Sequence, residues 1–120
     1  MKRYVAGKIF FTLSLLFLIA GPAHTQAAAP VIEIHAKRFA FTPNEITIVE
    51  GQTATIKLIS DDTAHSLVIP DLQVNVEVSK RHPAQFSITP TKTGDFAGRC
   101  GHFCGAGHGN MTFTVHVKGG

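Results

Sequence analysis

Arg99-Cys100-Gly101-His102-Phe103-Cys104-Gly105-Ala106-Gly107-His108-Gly109-Asn110-Met111 runs directly into Thr112-Phe113-Thr114-Val115-His116-Val117, and the two parts obey different rules. In the second part Phe113, Val115 and Val117 alternate with Thr112, Thr114 and His116, the period of a strand with one buried face. The first part has no period. It places two thiols, two imidazoles and a thioether within the twelve residues from Cys100 to Met111, with glycines between the donors. Glycine lets a backbone turn as tightly as a loop wrapping a metal requires.

Upstream, short segments rich in β-branched and aromatic residues are separated by Gly, Pro, Asn and Asp, and all of them read as strands. Val31, Ile32 and Ile34 begin the first. Ile46, Ile48 and Val49 mark a second, which ends at Glu50-Gly51. In residues 53–60, Ala54, Ile56 and Leu58 share one face of an alternating pattern. Residues 67–69, 74–78 and 86–88 are further strands, with Pro70, Pro83 and Pro90 as interruptions. No segment after residue 30 carries a long helical period, and no internal repeat is visible. Many short strands with regular turn signals predict an all-β sandwich or small barrel. The chain of 120 residues suffices for one small domain.

At the N-terminus Lys2, Arg3 and Lys8 precede an apolar run from Ile9 to Ala20, followed by the small residues Ala23, Ala27, Ala28 and Ala29. This is the layout of a secretory leader, expected over residues 1–27 with cleavage near Ala27 or Ala28, leaving a domain over 28–120. The chain is then exported and periplasmic, and associates with a membrane only if the leader stays attached. Three of the eleven Lys and Arg lie in that leader, and none of the eight Asp and Glu does. The remaining eight cations balance eight anions, so the formal charge of +3 gives no support to a nucleic-acid partner or a basic membrane patch.

Soft sulfur donors combined with imidazole favour copper, and calcium or magnesium fits them poorly. Cys100-x-x-x-Cys104-x-x-x-His108-x-x-Met111 resembles the ligand loop of the CuA domain of cytochrome c oxidase subunit II and nitrous oxide reductase. Asp62-Thr63-Ala64-His65-Ser66 resembles the segment that supplies that family's other histidine. Phe39-x-Phe41-x-Pro43 and Gly51 agree with the wider pattern. The resemblance implies a cupredoxin-like Greek-key β-sandwich with the ligand loop at one end, between the last two strands. It implies two copper ions bridged by Cys100 and Cys104, each completed by His65 or His108, with Met111 as a weak ligand. The backbone carbonyl of His102 would be the opposite weak ligand. His102 is also the departure, since that position is usually Glu, Gln or Trp, and its imidazole could swing into a rearranged or mononuclear centre.

Two thiolates nearly balance the charge of a copper pair in either of its redox states, so both are tolerable in a partly buried loop. Sharing the removed electron over two metals changes each bond less than oxidising one would. The expected function is one-electron transfer, with a cytochrome or oxidase as redox partner and no catalysis of its own. A copper-delivering chaperone could use the same donors, whereas a reductase would need an open copper position. The chain lacks tryptophan and paired membrane helices, so it reads as a stand-alone version of the domain.

Export also makes a plain Cys100–Cys104 disulfide the competing structural reading. Such a bridge closes a short loop, stabilises little, and leaves His65, His108 and Met111 unexplained. Met111 also heads an apolar strand, where core packing would account for it. His35, His82 and His116 sit in no donor pattern and read as surface positions. Phe96 and Phe103 are expected to pack around the loop, although core filling explains them as well.

Overall fold

A computed structural model describes residues 20–23 and 29–120. The expected leader lies outside these apart from residues 20–23, and no helix among the described residues is long and apolar enough to cross a membrane. Among the described residues nine strands follow in chain order: β1 (Val31–Lys37), β2 (Ala40–Thr42), β3 (Glu45–Val49), β4 (Ala54–Ser60), β5 (His65–Ile69), β6 (Val74–Val78), β7 (Ala84–Ile88), β8 (Gly94–Cys100) and β9 (Thr112–Lys118). Pro70–Leu72 and His108–Asn110 each form a single 3-10 turn.

The strands form two sheets, ordered β2-β1-β4-β7 and β3-β9-β8-β5-β6. Only β1 with β4 and β3 with β9 run parallel; the remaining pairs are antiparallel. The inward faces follow the period of two. Ile34 and Ala36 on β1, and Ala54, Ile56 and Leu58 on β4, are buried against Phe113, Val115 and Val117 of β9 and Leu67 and Ile69 of β5. Phe41 on β2 meets Phe113 on β9 edge to face, with ring centroids 5.7 Å apart, which joins the two sheets near one end. This is the cupredoxin β-sandwich expected from the resemblance, with the donor-rich loop joining β8 to β9.

Strands β2 and β8 were not among the segments singled out by periodicity. Three-residue β2 is too short to show a period. In β8 the inward positions are Phe96, Gly98 and Cys100, so its alternation is written in small residues. Gly98 is there because of close approach: a Cβ would lie 2.9 Å from Ile69 Cγ1 and 3.2 Å from the Val68 carbonyl oxygen of β5. A glycine that lets β8 pack beside β5 thus erases the signal by which β8 would be recognised.

Candidate metal centre

The pairing of β5 with β8 assembles the first half of the site. Leu67 lies opposite Cys100, so His65, two residues along β5 on the same face, sits diagonally across from the thiol. Both side chains are buried, and His65 Nδ1 is 3.9 Å from Cys100 Sγ. The other ring nitrogen, Nε2, lies 2.7 Å from Asp62 Oδ1 in the β4–β5 connection. With a carboxylate as its partner Nε2 carries the proton, so Nδ1 presents its lone pair towards the sulfur. Burial pushes the Asp62 carboxyl up, but the Arg38 backbone N–H, the His65 ring and the Thr63 backbone N–H outweigh it and hold its pKa down at about 2.

The second half comes from the loop. Cys104 is buried, and its Sγ lies with His65 and Cys100 in a group whose donor atoms are all within 4.8 Å of one another. His108, half-buried at the start of its 3-10 turn, approaches from the Cys104 side, with Nδ1 4.0 Å from Cys104 Sγ. Met111 is fully buried, and its carbonyl accepts the Cys100 backbone N–H at 3.0 Å, closing the base of the loop. The His102 carbonyl oxygen lies 3.2 Å from Cys100 Sγ, and His102 lines a depression of about 260 Å³ together with His65, Glu77, Ser79 and His82.

Two donors to one metal ion, each roughly 2.0–2.3 Å from it, stand about 3.5–4 Å apart at wide angles. The His65–Cys100 and Cys104–His108 spans of 3.9 and 4.0 Å meet that requirement. Both cysteines are free thiols. Burial pushes the Cys104 thiol up, and neighbouring Cys100 adds to this, against the opposing charge of Arg38. Two adjacent thiolates in this setting call for a soft cation between them.

The loop is held from outside by residues the motifs did not reveal. At the two-residue β1–β2 turn, Arg38 Nε donates to the Cys104 carbonyl at 2.7 Å. The Phe39 ring lies so close to Gly107 that a Cβ there would stand 2.4 Å from it. Gly105 next to it adopts φ of +141°, a region that suits glycine. The Phe39 pattern was visible in sequence, but nothing local in it pointed to the loop.

Of the two phenylalanines expected around the loop, Phe103 packs on it and Phe96 does not. Phe96 pairs with Val115 and is four residues, about 13 Å of strand, from Cys100, so it fills the core towards the far end. Phe103 is 74% exposed and leans on His108 with ring centroids 5.8 Å apart, covering that ring without being buried itself. His35, His82 and His116 lie outside the cluster, partnered by Asp61 and Glu33, by Ser79, and by Asp95 and Glu45.

The family description "Cupredoxin-like domain" matches residues 9–113. Cytochrome c oxidase subunit 2 of Thermus thermophilus is 30% identical over 87 residues, which make up 72% of this chain and 64% of that protein. The chain thus spans a little under two thirds of that relative's length. Among solved structures, the periplasmic domain of subunit II of cytochrome oxidase from Bradyrhizobium japonicum superposes with a TM-score of 0.70 at 18% identity, covering 78% of this chain and 87% of that one. Auracyanin A, a "blue" copper protein from Chloroflexus aurantiacus, gives a TM-score of 0.60 at 17% identity, covering 73% and 98%. At these identities the two structures show the shared fold.

Proposed function

The chain belongs to the cupredoxin-like domain family, and from that premise we propose that it carries one electron at a time through a binuclear, thiolate-bridged copper centre of the CuA type. The donors are His65, Cys100, Cys104, His108, Met111 and the carbonyl of His102. Homology to cytochrome c oxidase subunit 2 supports copper electron transfer in general. The observation that carries the two-metal form is the pair of histidines, each facing a different cysteine at 3.9 and 4.0 Å, with the thiols side by side between them.

Copper bound there supplies the one-electron couple. The protein's own part is to keep the donors still and dry. Asp62 locks the His65 tautomer, the β5–β8 register fixes His65 against Cys100, and burial of both thiols excludes water from the charge they share. A site that changes shape little on gaining an electron exchanges it quickly. We read the chain as an electron carrier in the periplasm, serving a cytochrome or an oxidase, with residues 1–27 as its export leader.

Copper analysis with an EPR spectrum tests this. Two coppers per chain and a hyperfine pattern shared between two nuclei are expected, and Cys100→Ser and Cys104→Ser should each abolish that pattern. One copper with a single-ion signal after full loading would replace this reading with a mononuclear cupredoxin. A centre without a reversible potential would favour a copper chaperone.

A further inference from the structure

The β1–β2 turn belongs to one sheet, and the ligand loop hangs from the other. Where they meet, a single residue touches both halves of the site. The backbone N–H of Arg38 donates to Asp62 Oδ2 at 2.9 Å, and the other oxygen of that carboxylate lies 2.7 Å from His65 Nε2. The guanidinium Nε of the same residue donates to the Cys104 carbonyl at 2.7 Å. Among the described residues this is the hydrogen bond that ties 103–107 to the opposite sheet; besides it, the Cys104 thiol has the Cys100 thiol at the end of β8 as a hydrogen-bonding neighbour, and the backbone hydrogen bonds of the segment stay within the loop. Phe39, the next residue, presses its ring on Gly107 and so limits where the loop can move.

We propose that Arg38 is a positioning residue of the metal centre, setting the distance between the His65–Cys100 half and the Cys104–His108 half. Its backbone fixes one half through Asp62, and its side chain fixes the other through the Cys104 carbonyl. A shift of either half relative to the other must stretch one of two short hydrogen bonds on the same residue. The guanidinium also brings a fixed positive charge to the edge of the site, which favours the reduced centre. This deepens the copper reading and depends on it only for the potential.

The test compares wild type, Arg38→Leu, Arg38→Gln and Arg38→Lys. In the reduced, metal-free protein the alkylation rates of Cys104 and Cys100 by iodoacetamide are followed by peptide mapping. Per thiolate, Cys104 should react about tenfold faster in Arg38→Leu and Arg38→Gln, the change expected when one charge-assisted hydrogen bond no longer opposes local opening; rates are compared per thiolate because losing the Arg38 charge also pushes the Cys104 thiol up. Cys100, held in β8, should stay close to its wild-type rate, the thermal midpoint should hold, and Arg38→Lys should restore most of the protection. After copper loading, the reduction potential should fall in Arg38→Leu and return towards wild type in Arg38→Lys. Unchanged Cys104 reactivity in both neutral variants would overturn the assignment. So would equal acceleration of both thiols together with a lowered midpoint, since that is loss of the fold rather than of positioning. Failure of wild type to bind copper would end the copper reading, while the thiol rates would still judge Arg38.

Discussion

The two halves of the centre are built by different means. His65 and Cys100 stand at the adjoining ends of paired strands, both buried, and their approach is set by the same ladder register that builds the sandwich. Cys104 and His108 ride on a glycine-containing loop beside solvent-facing Phe103, and their approach depends on one 3-10 turn and on contacts from the opposite sheet. The strand half is therefore as firm as the fold. The loop half is only as firm as its local ties, and it is the half that lies nearest the surface.

The sharpest way to break this contrast is to delete one histidine from each half and unfold the metal-free protein in denaturant. His65→Ala empties a buried position and strips Asp62 of a partner, at an expected cost of about 2–4 kcal/mol. His108→Ala, on a half-buried loop position, should cost under ~1 kcal/mol. Equal costs would show that the loop half is as much a part of the framework as the strand half.

Within the loop a smaller contrast separates two glycines. Alanine at 107 must displace the Phe39 ring, and Gly107→Ala should destabilise by about 1–3 kcal/mol and disturb the copper spectrum. At 109 a Cβ meets nothing within 4 Å, so Gly109→Ala should stay within ~0.5 kcal/mol of wild type with an unchanged spectrum. A silent Gly107→Ala would mean that the loop is free of the β1–β2 turn.

The smallest effect concerns pH and falls on partly exposed histidines outside the donor cluster. His35 is held mainly by Asp61 and then by Glu33, which also pairs with Lys57; His116 is held mainly by Asp95 and then by Glu45. Both imidazoles have pKa values raised above the ordinary 6.5. Their contribution to stability is complete below the unfolded value and is lost as pH rises through the folded one. The thermal midpoint of the metal-free protein should therefore decline gently from pH 6 to pH 8, and the His35→Gln, His116→Gln double variant should flatten the decline. A slope that survives in the double variant would have its origin elsewhere, the loop included.

Much of this molecule could be read before it was folded. The alternations at Ala54, Ile56 and Leu58 and at Phe113, Val115 and Val117 located β4 and β9 to within a residue, because a half-buried strand must repeat every two residues. Strand β8 escaped because the close approach of β5 put glycine where an apolar side chain would have marked it. For Phe96 the sequence left packing around the loop and core filling both open, and the extended strand, which carries it away from Cys100, decided for the core.

By itself the sequence determined the donor chemistry: thiols, imidazoles and a thioether at a fixed spacing, whose preference for a soft metal follows from the atoms and survives any fold. What only the tertiary structure decided is which half of the site leans on what. Arg38 precedes Cys104 by 66 positions and Asp62 by 24. No local pattern marks an arginine that will donate to a distant carbonyl, because a backbone acceptor leaves no trace in the identity of its residue.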